Sequence, residues 1–174
     1  MPRDALDRYY TPDDVARRCL ELHRLTGDVL EPHAGGGAFV RALAEHRDAR
    51  VYVGDLDAAA PGLVAPGVEP AYVGSFLDHT GHYDWIVGNP PYRDAEAHVR
   101  HALQHADRVG FLLRLAFLES QRRRPLWRDY PPSCVWVLSK RPSFTGGGTD
   151  ATAYGWFLWE RGVVDTRLRW LDTV

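Results

Sequence analysis

The chain has almost no cysteine, a single lysine and no long apolar run. Cys19 and Cys134 are its only cysteines. They cannot build a disulfide framework or a zinc site between them, which fits a reducing cytoplasm. The N-terminus lacks the apolar core of a signal peptide, and no run of apolar residues is long enough to cross a membrane, so no membrane partner is expected. The formal net charge is -2. A chain so near neutrality is not a polycation that clings to nucleic acid, so any such contact must come from a local basic patch. Every basic residue except Lys140 is arginine, so that patch would be an arginine patch. The 174 residues suit one domain, 1–174, and leave little room for a second.

What is present alternates. Strand patterns at Asp28–Pro32, Arg50–Gly54, Ala71–Val73, Trp85–Val87, Val109–Leu115, Cys134–Ser139 and Tyr154–Trp159 are interleaved with helical patterns. The helical patterns run over Asp13–Leu25, Ala38–His46, Asp94–Ala106 and Ala116–Arg123, with a short or broken helix within Pro61–Pro70. Thr11 reads as an N-cap and Pro12 as a first helical residue. Such alternation predicts an α/β fold, an open and mainly parallel sheet with helices on both faces. Ligands of such sheets bind beyond the carboxyl ends of the strands. The unusual residues all fall at such ends: Glu31 to Gly37 after strand one, Asp55 after strand two, Ser75 after strand three and Asn89 after strand four.

Asn89-Pro90-Pro91-Tyr92 is the most informative of these. Two prolines fix two φ angles and remove two backbone donors, and they push the preceding Asn out of the helical region. The stiff turn holds an amide side chain and bare carbonyls in one place. That suits an exocyclic amine, whose hydrogens Asn89 and a Pro90 carbonyl can accept while Tyr92 stacks on its ring. Gly35-Gly36-Gly37 allows close backbone approach. It is not a dinucleotide fingerprint, because Val40 stands where a third small residue is needed. Glu31 beside the loop disfavours pyrophosphate and favours an ammonium group, and Asp55 can accept both hydroxyls of a ribose. A ligand with a ribose and an amino-acid ammonium, but no phosphate, is S-adenosylmethionine.

These motifs together resemble the amino-methyltransferases that methylate adenine N6 in DNA, in the arrangement where the cofactor-closing loop precedes the glycine loop. The resemblance runs through Tyr10-Thr11-Pro12, Leu30 to Gly37, Gly54 to Asp57, Gly74 to Leu77, Asn89 to Tyr92 and Arg141 to Phe144, and covers roughly residues 8–160. It implies one doubly wound, seven-stranded Rossmann-like sheet of order 3-2-1-4-5-7-6, mostly parallel with the last strand antiparallel. Thr11 and Glu31 would contact the methionine end of the cofactor, with backbone approach at Ala34, Gly35 and Gly37, and Tyr10, Pro32 and Asn89 would also bind it. Asp55 would hold the ribose. Leu56 and Phe76 would sandwich the adenine, beside Ser75, where the family often has Asp. Asn89, Pro90, Pro91 and Tyr92 would form the catalytic turn, with Tyr92 and Phe144 stacking on a flipped base. No metal is implied. No separate target-recognition domain fits in 174 residues. Selectivity would then be low, or come from a partner chain or from the loops at Arg93–Ala95 and Ser143–Ala153.

Three other activities use similar parts: adenine methylation of RNA, glutamine methylation of protein, and silent cofactor binding. Four weaker signals remain. His98, His101 and His105 share a helix face that reads as solvated rather than metal-binding. Arg122-Arg123-Arg124 with Trp127 and Arg128 suits either phosphate contact or a helix end. Gly146-Gly147-Gly148 suits either a loop over the target pocket or a plain linker. Trp136, Trp156 and Trp159 read as core.

Overall fold

The computed structural model describes residues 10–144 and 151–172. Among them, eight strands form one sheet: β1 (Gly27–Glu31), β2 (Ala49–Asp55), β3 (Glu69–Val73), β4 (Tyr83–Gly88), β5 (Ala106–Arg114), β6 (Cys134–Leu138), β7 (Tyr154–Glu160) and β8 (Arg167–Leu171). Their order is β3-β2-β1-β4-β5-β7-β6-β8. β7 is antiparallel to both its neighbours, and every other pairing is parallel.

The helices are α1 (Asp13–Glu21), α2 (Ala38–Leu43), α3 (Ala95–His105) and α4 (Arg124–Asp129). They cover both faces of the sheet, and the central strands are apolar on both sides for that reason. Side chains alternate across a strand. Val29, Trp85, Val87, Leu112 and Trp156 join the layer with Leu20 of α1 and Phe39 of α2. Leu30, Ile86, Phe111, Leu113 and Phe157 join the layer with Val99 of α3 and Leu126 of α4.

The expected order 3-2-1-4-5-7-6 is present, but the sheet has eight strands, not seven. β8 extends it beyond β6, paired in parallel from Cys134↔Arg167 to Leu138↔Leu171. Four of its five residues are exposed. A strand at the edge, held by main-chain bonds and carrying Arg167 and Arg169, has no buried face to imprint an apolar pattern.

The helix expected over Ala116–Arg123 is instead two 3-10 turns, Leu115–Leu118 and Gln121–Arg123, and α4 begins at Arg124. Pro125 does not break α4, because it stands in the first turn, where no amide donor is needed. Arg123 is used structurally. Its Nη1 donates to the carbonyls of Phe117 and Glu119 at 3.2 and 3.1 Å. Arg122 pairs with Glu96 at 3.3 Å.

α1 ends at Glu21 rather than near Leu25. Beyond it His23 turns inward among Trp85, Trp136 and Trp156, and accepts the Trp156 indole N–H at 2.8 Å. Trp156 and Trp159 are buried, as expected of core, and Trp136 is half-buried. Both cysteines are buried and free. No helix among the described residues is long and apolar enough to cross a membrane. The Gly146–Gly148 segment lies outside the described residues.

Candidate active site

β1 lies between β2 and β4, and the residues that follow β1 and β4 line one pocket. Tyr10, Thr11, Glu31, Ala34, Gly35, Gly37 and Asn89 all line it. The glycine loop and Asn89, the first residue of the proline turn, therefore share one space, while Pro90, Pro91 and Tyr92 do not line it.

Glu31 is the buried acid of this site, only 1% exposed. Its Oε1 accepts the His33 amide at 2.8 Å. Burial holds its carboxyl well above the usual range, against the pull of that hydrogen bond, and Asp55 adds to the effect. Gly88 makes the room. A Cβ there would collide with the Glu31 carboxylate. The glycine before Asn89 thus lets the carboxylate lie against β4.

The loop after β1 is tied down by its own backbone. Gly35 N–H donates to Asp55 Oδ2 at 2.7 Å, and Gly62 N–H donates to the Gly35 carbonyl at 3.0 Å. Gly37 takes a φ of +82° ahead of α2, a region that favours glycine. Arg41 Nη1 donates to the Gly36 carbonyl at 2.9 Å and the same guanidinium pairs with Asp13 of α1. Tyr10 lies over the loop, 49% exposed, and a Cβ on Gly36 would press into its ring.

Asn89 follows β4. Its Nδ2 donates to Thr11 Oγ1 at 3.0 Å. Thr11 therefore anchors the Asn89 turn instead of capping α1. Pro12 occupies the cap position, and no side chain caps that helix. Pro90 is buried and Pro91 half-buried, and the Pro91 carbonyl accepts the Asp94 amide at 3.2 Å. Tyr92 packs against Tyr154 at 5.5 Å and Phe144 at 6.3 Å between ring centroids. The two rings expected to hold a base are thus together, at an interplanar angle of 75°.

No protein-family model matches the sequence, and no curated protein matches it. Solved structures do match. A Pyrococcus horikoshii protein described as a candidate RNA methyltransferase is 14% identical, with 92% of this chain and 89% of that one covered, at a TM-score of 0.73. The modification subunit of a candidate type I restriction enzyme from Vibrio vulnificus YJ016 is 16% identical, at a TM-score of 0.72. That match covers 95% of this chain but 47% of the subunit, so the chain spans about half of its length. The 23S rRNA methyltransferase ErmE is 19% identical, with 88% of this chain and 70% of that one covered, at a TM-score of 0.62. The fold is the Rossmann-like methyltransferase fold.

Within this methyltransferase fold, the remaining expected residues flank the cavity rather than line it. Asp55 sits at the β2 tip, where Oδ1 accepts the Asp57 amide at 2.8 Å and Oδ2 holds Gly35. Leu56 is 64% exposed. Ser75 Oγ accepts the Leu77 amide at 3.2 Å and so starts a 3-10 turn. Pro32 is buried, and its carbonyl accepts the Tyr72 hydroxyl at 2.9 Å. Phe76 is 3% exposed, and its ring packs on His33, His98 and His101. Of the pair expected to sandwich an adenine, Leu56 alone presents an exposed side chain.

The histidine face of α3 is only partly solvated, with His98 buried and His101 and His105 half-buried. His98 is buried and bonds His33 at 2.8 Å between ring nitrogens. His101 and His105 bond the carbonyls of His79 and Gly81 at 2.8 and 3.1 Å. Burial lowers His98 to about 4 and holds His33 well below its usual value, so the pair is neutral. Among the described residues no three His, Cys, Asp or Glu side chains are grouped to hold a metal.

Sequence reading missed His33 and Phe39, which line the cavity, and Gly62, Gly88 and Arg41, which shape it. His33 stood inside the quoted Glu31–Gly37 motif. Gly88 immediately precedes the quoted turn. Phe39, Arg41 and Gly62 carried no signal of their own.

Proposed function

We propose that the chain is an S-adenosylmethionine-dependent methyltransferase acting on the exocyclic N6 amine of adenine in DNA. The observation that carries this reading is the single cavity shared by Glu31, the glycine loop and Asn89. The residues fit the cofactor. The cavity has a cradle of side-chain-free backbone at Gly35–Gly37 and a buried carboxylate at Glu31, suited to a methionine-like ammonium. The Asp55 tip and exposed Leu56 continue from it toward a ribose and a purine.

The cofactor supplies a methyl group on a sulfonium, which is already a good leaving group. The chain supplies position. The Asn89 amide, turned by Thr11, presents Oδ1 as an acceptor, and the Pro90 carbonyl is a second one. Two acceptors on the amine hydrogens draw its lone pair out of the ring and toward tetrahedral geometry. Tyr92 and Phe144 supply flat apolar surface for the base, which must leave a duplex or come from a single strand. Orientation of this kind is worth several kcal/mol of barrier on its own, up to about 7–11 kcal/mol.

A second reading, adenine methylation of RNA, is favoured by the fold likeness to an RNA methyltransferase such as ErmE. The two are separated by incubating wild type with tritiated cofactor and DNA or RNA, then digesting and identifying the labelled nucleoside. N6-methyladenosine in RNA alone would reverse the order of the two readings. Asn89→Ala is expected to abolish transfer while calorimetry still shows cofactor binding. Equal loss of both would make Asn89 structural.

A further inference from the structure

Arg114 is the last residue of β5 and belongs to none of the expected site motifs. β4 and β5 are parallel with Gly88↔Phe111 in register, so Arg114 stands beside the Asn89–Tyr92 turn. Its guanidinium lies over the Tyr92 ring, 4.8 Å from the centroid. Its Nε donates to the Tyr154 hydroxyl at 3.3 Å. Tyr154 also packs against Phe144 at 4.9 Å between ring centroids. Three aromatic rings and one planar cation therefore share a single cluster beside the Asn89–Tyr92 turn.

A guanidinium is planar and delocalised, and it stacks on an aromatic face as a nucleobase does. The two compete for the same surface. A base stacking on that face of Tyr92 must displace the Arg114 head group. The displaced cation then has a partner that a nucleic acid alone supplies, the phosphate beside the target nucleotide, which it can bind through two parallel N–H donors.

We propose that Arg114 is a nucleic-acid-binding residue that covers Tyr92 and yields it to the target base by moving onto the adjoining phosphate. This rests on reading Asn89–Tyr92 as the site of base methylation. The exchange selects for a polyanionic chain. A glutamine side chain on a protein offers neither the ring that would displace the guanidinium nor the phosphate that would receive it.

The test uses the full chain and a fluorescein-labelled single-stranded DNA dodecamer containing adenine, with an RNA of the same sequence in parallel. Anisotropy gives the binding constant from 50 to 300 mM salt, and tritium transfer gives KM and kcat. Arg114→Ala is expected to shallow the slope of log K against log salt by about one unit, less for a single strand than for a duplex. KM for the oligonucleotide should rise at least tenfold, with the cofactor dissociation constant by calorimetry within twofold of wild type. Arg114→Gln keeps a planar amide over Tyr92 without the charge. It must show the same loss of slope, and it stands in if the alanine variant does not fold. An unchanged salt slope overturns the proposal, as does an equal loss of cofactor affinity and thermal midpoint in both variants. Wild type that binds cofactor but neither binds nor methylates DNA or RNA would instead sink the base-methylation reading, and this proposal with it.

Discussion

Asn89 and Thr11 meet at 3.0 Å although 78 residues separate them in sequence. The bond joins the segment before α1 to the turn after β4. Thr11→Val removes the acceptor and keeps the shape. It is expected to lower kcat about tenfold, ~1.4 kcal/mol of barrier, by releasing the Asn89 amide. In a cycle with Asn89→Ala the two losses of unfolding free energy should not add. An unchanged kcat by tritium transfer, or additive losses in urea unfolding, would show that Thr11 acts elsewhere.

Glu31 is expected to make cofactor binding depend on pH. Burial raises its folded-state carboxyl above the unfolded value of 4.5. The folded chain therefore holds a proton that the unfolded chain has lost, and stability falls as pH rises from 4.5 to the raised value. An ammonium ligand favours the ionised form and reverses this. Cofactor affinity should accordingly strengthen as pH rises through the same window. Calorimetry in two buffers of different ionisation enthalpy should detect proton release on binding. Glu31→Gln should flatten the pH dependence and weaken binding at least tenfold, about 1.4 kcal/mol.

Gly88 is expected to tolerate no side chain while Glu31 is present. Gly88→Ala drives a methyl into a buried carboxylate. Overpacking of this kind costs roughly 1–3 kcal/mol. The double variant Gly88→Ala with Glu31→Ala should recover part of that loss in urea unfolding, because the colliding oxygens are gone. No recovery would place the strain in the backbone of β4 instead.

His98 should make the protein sensitive to acid. Its value falls from 6.5 unfolded to about 4 folded, so its neutral form stabilises the fold above 6.5 and that contribution is lost as pH drops toward 4. The difference is on the order of 3 kcal/mol. It should appear as a steeper fall of urea midpoint between pH 6.5 and 4 in wild type than in His98→Gln. Parallel curves would show that His98 does not titrate with unfolding. Comparison with the variant also cancels the opposite slope from Glu31.

The local features were legible because their physics is local. Alternating apolar runs placed seven strands, and two prolines after Asn89 marked a stiff turn. The order of those strands came with the family likeness, and it is the order in the sheet. Gly35 to Gly37 and Glu31 fell at one strand tip in sequence and at one cavity in space. Features made of contact between distant segments were not legible. β8 left no pattern because an exposed edge strand is held by main-chain bonds that any sequence can make. The α3 histidines looked solvated because nothing in their spacing shows that His33, His79 and Gly81 will cover them. Phe76 looked like a cofactor platform until those same rings enclosed it.

The sequence by itself determined an α/β chain with a stiff proline turn after Asn89 and an acid-flanked glycine loop, because backbone stiffness, side-chain period and charge are properties of neighbouring residues. Only the tertiary structure decided that Thr11 holds Asn89, that Gly88 admits the Glu31 carboxylate and that Arg114 lies over Tyr92. Those relationships arise where the ends of separate strands are brought within a few ångströms, and which ends meet is set by the order and register of the sheet.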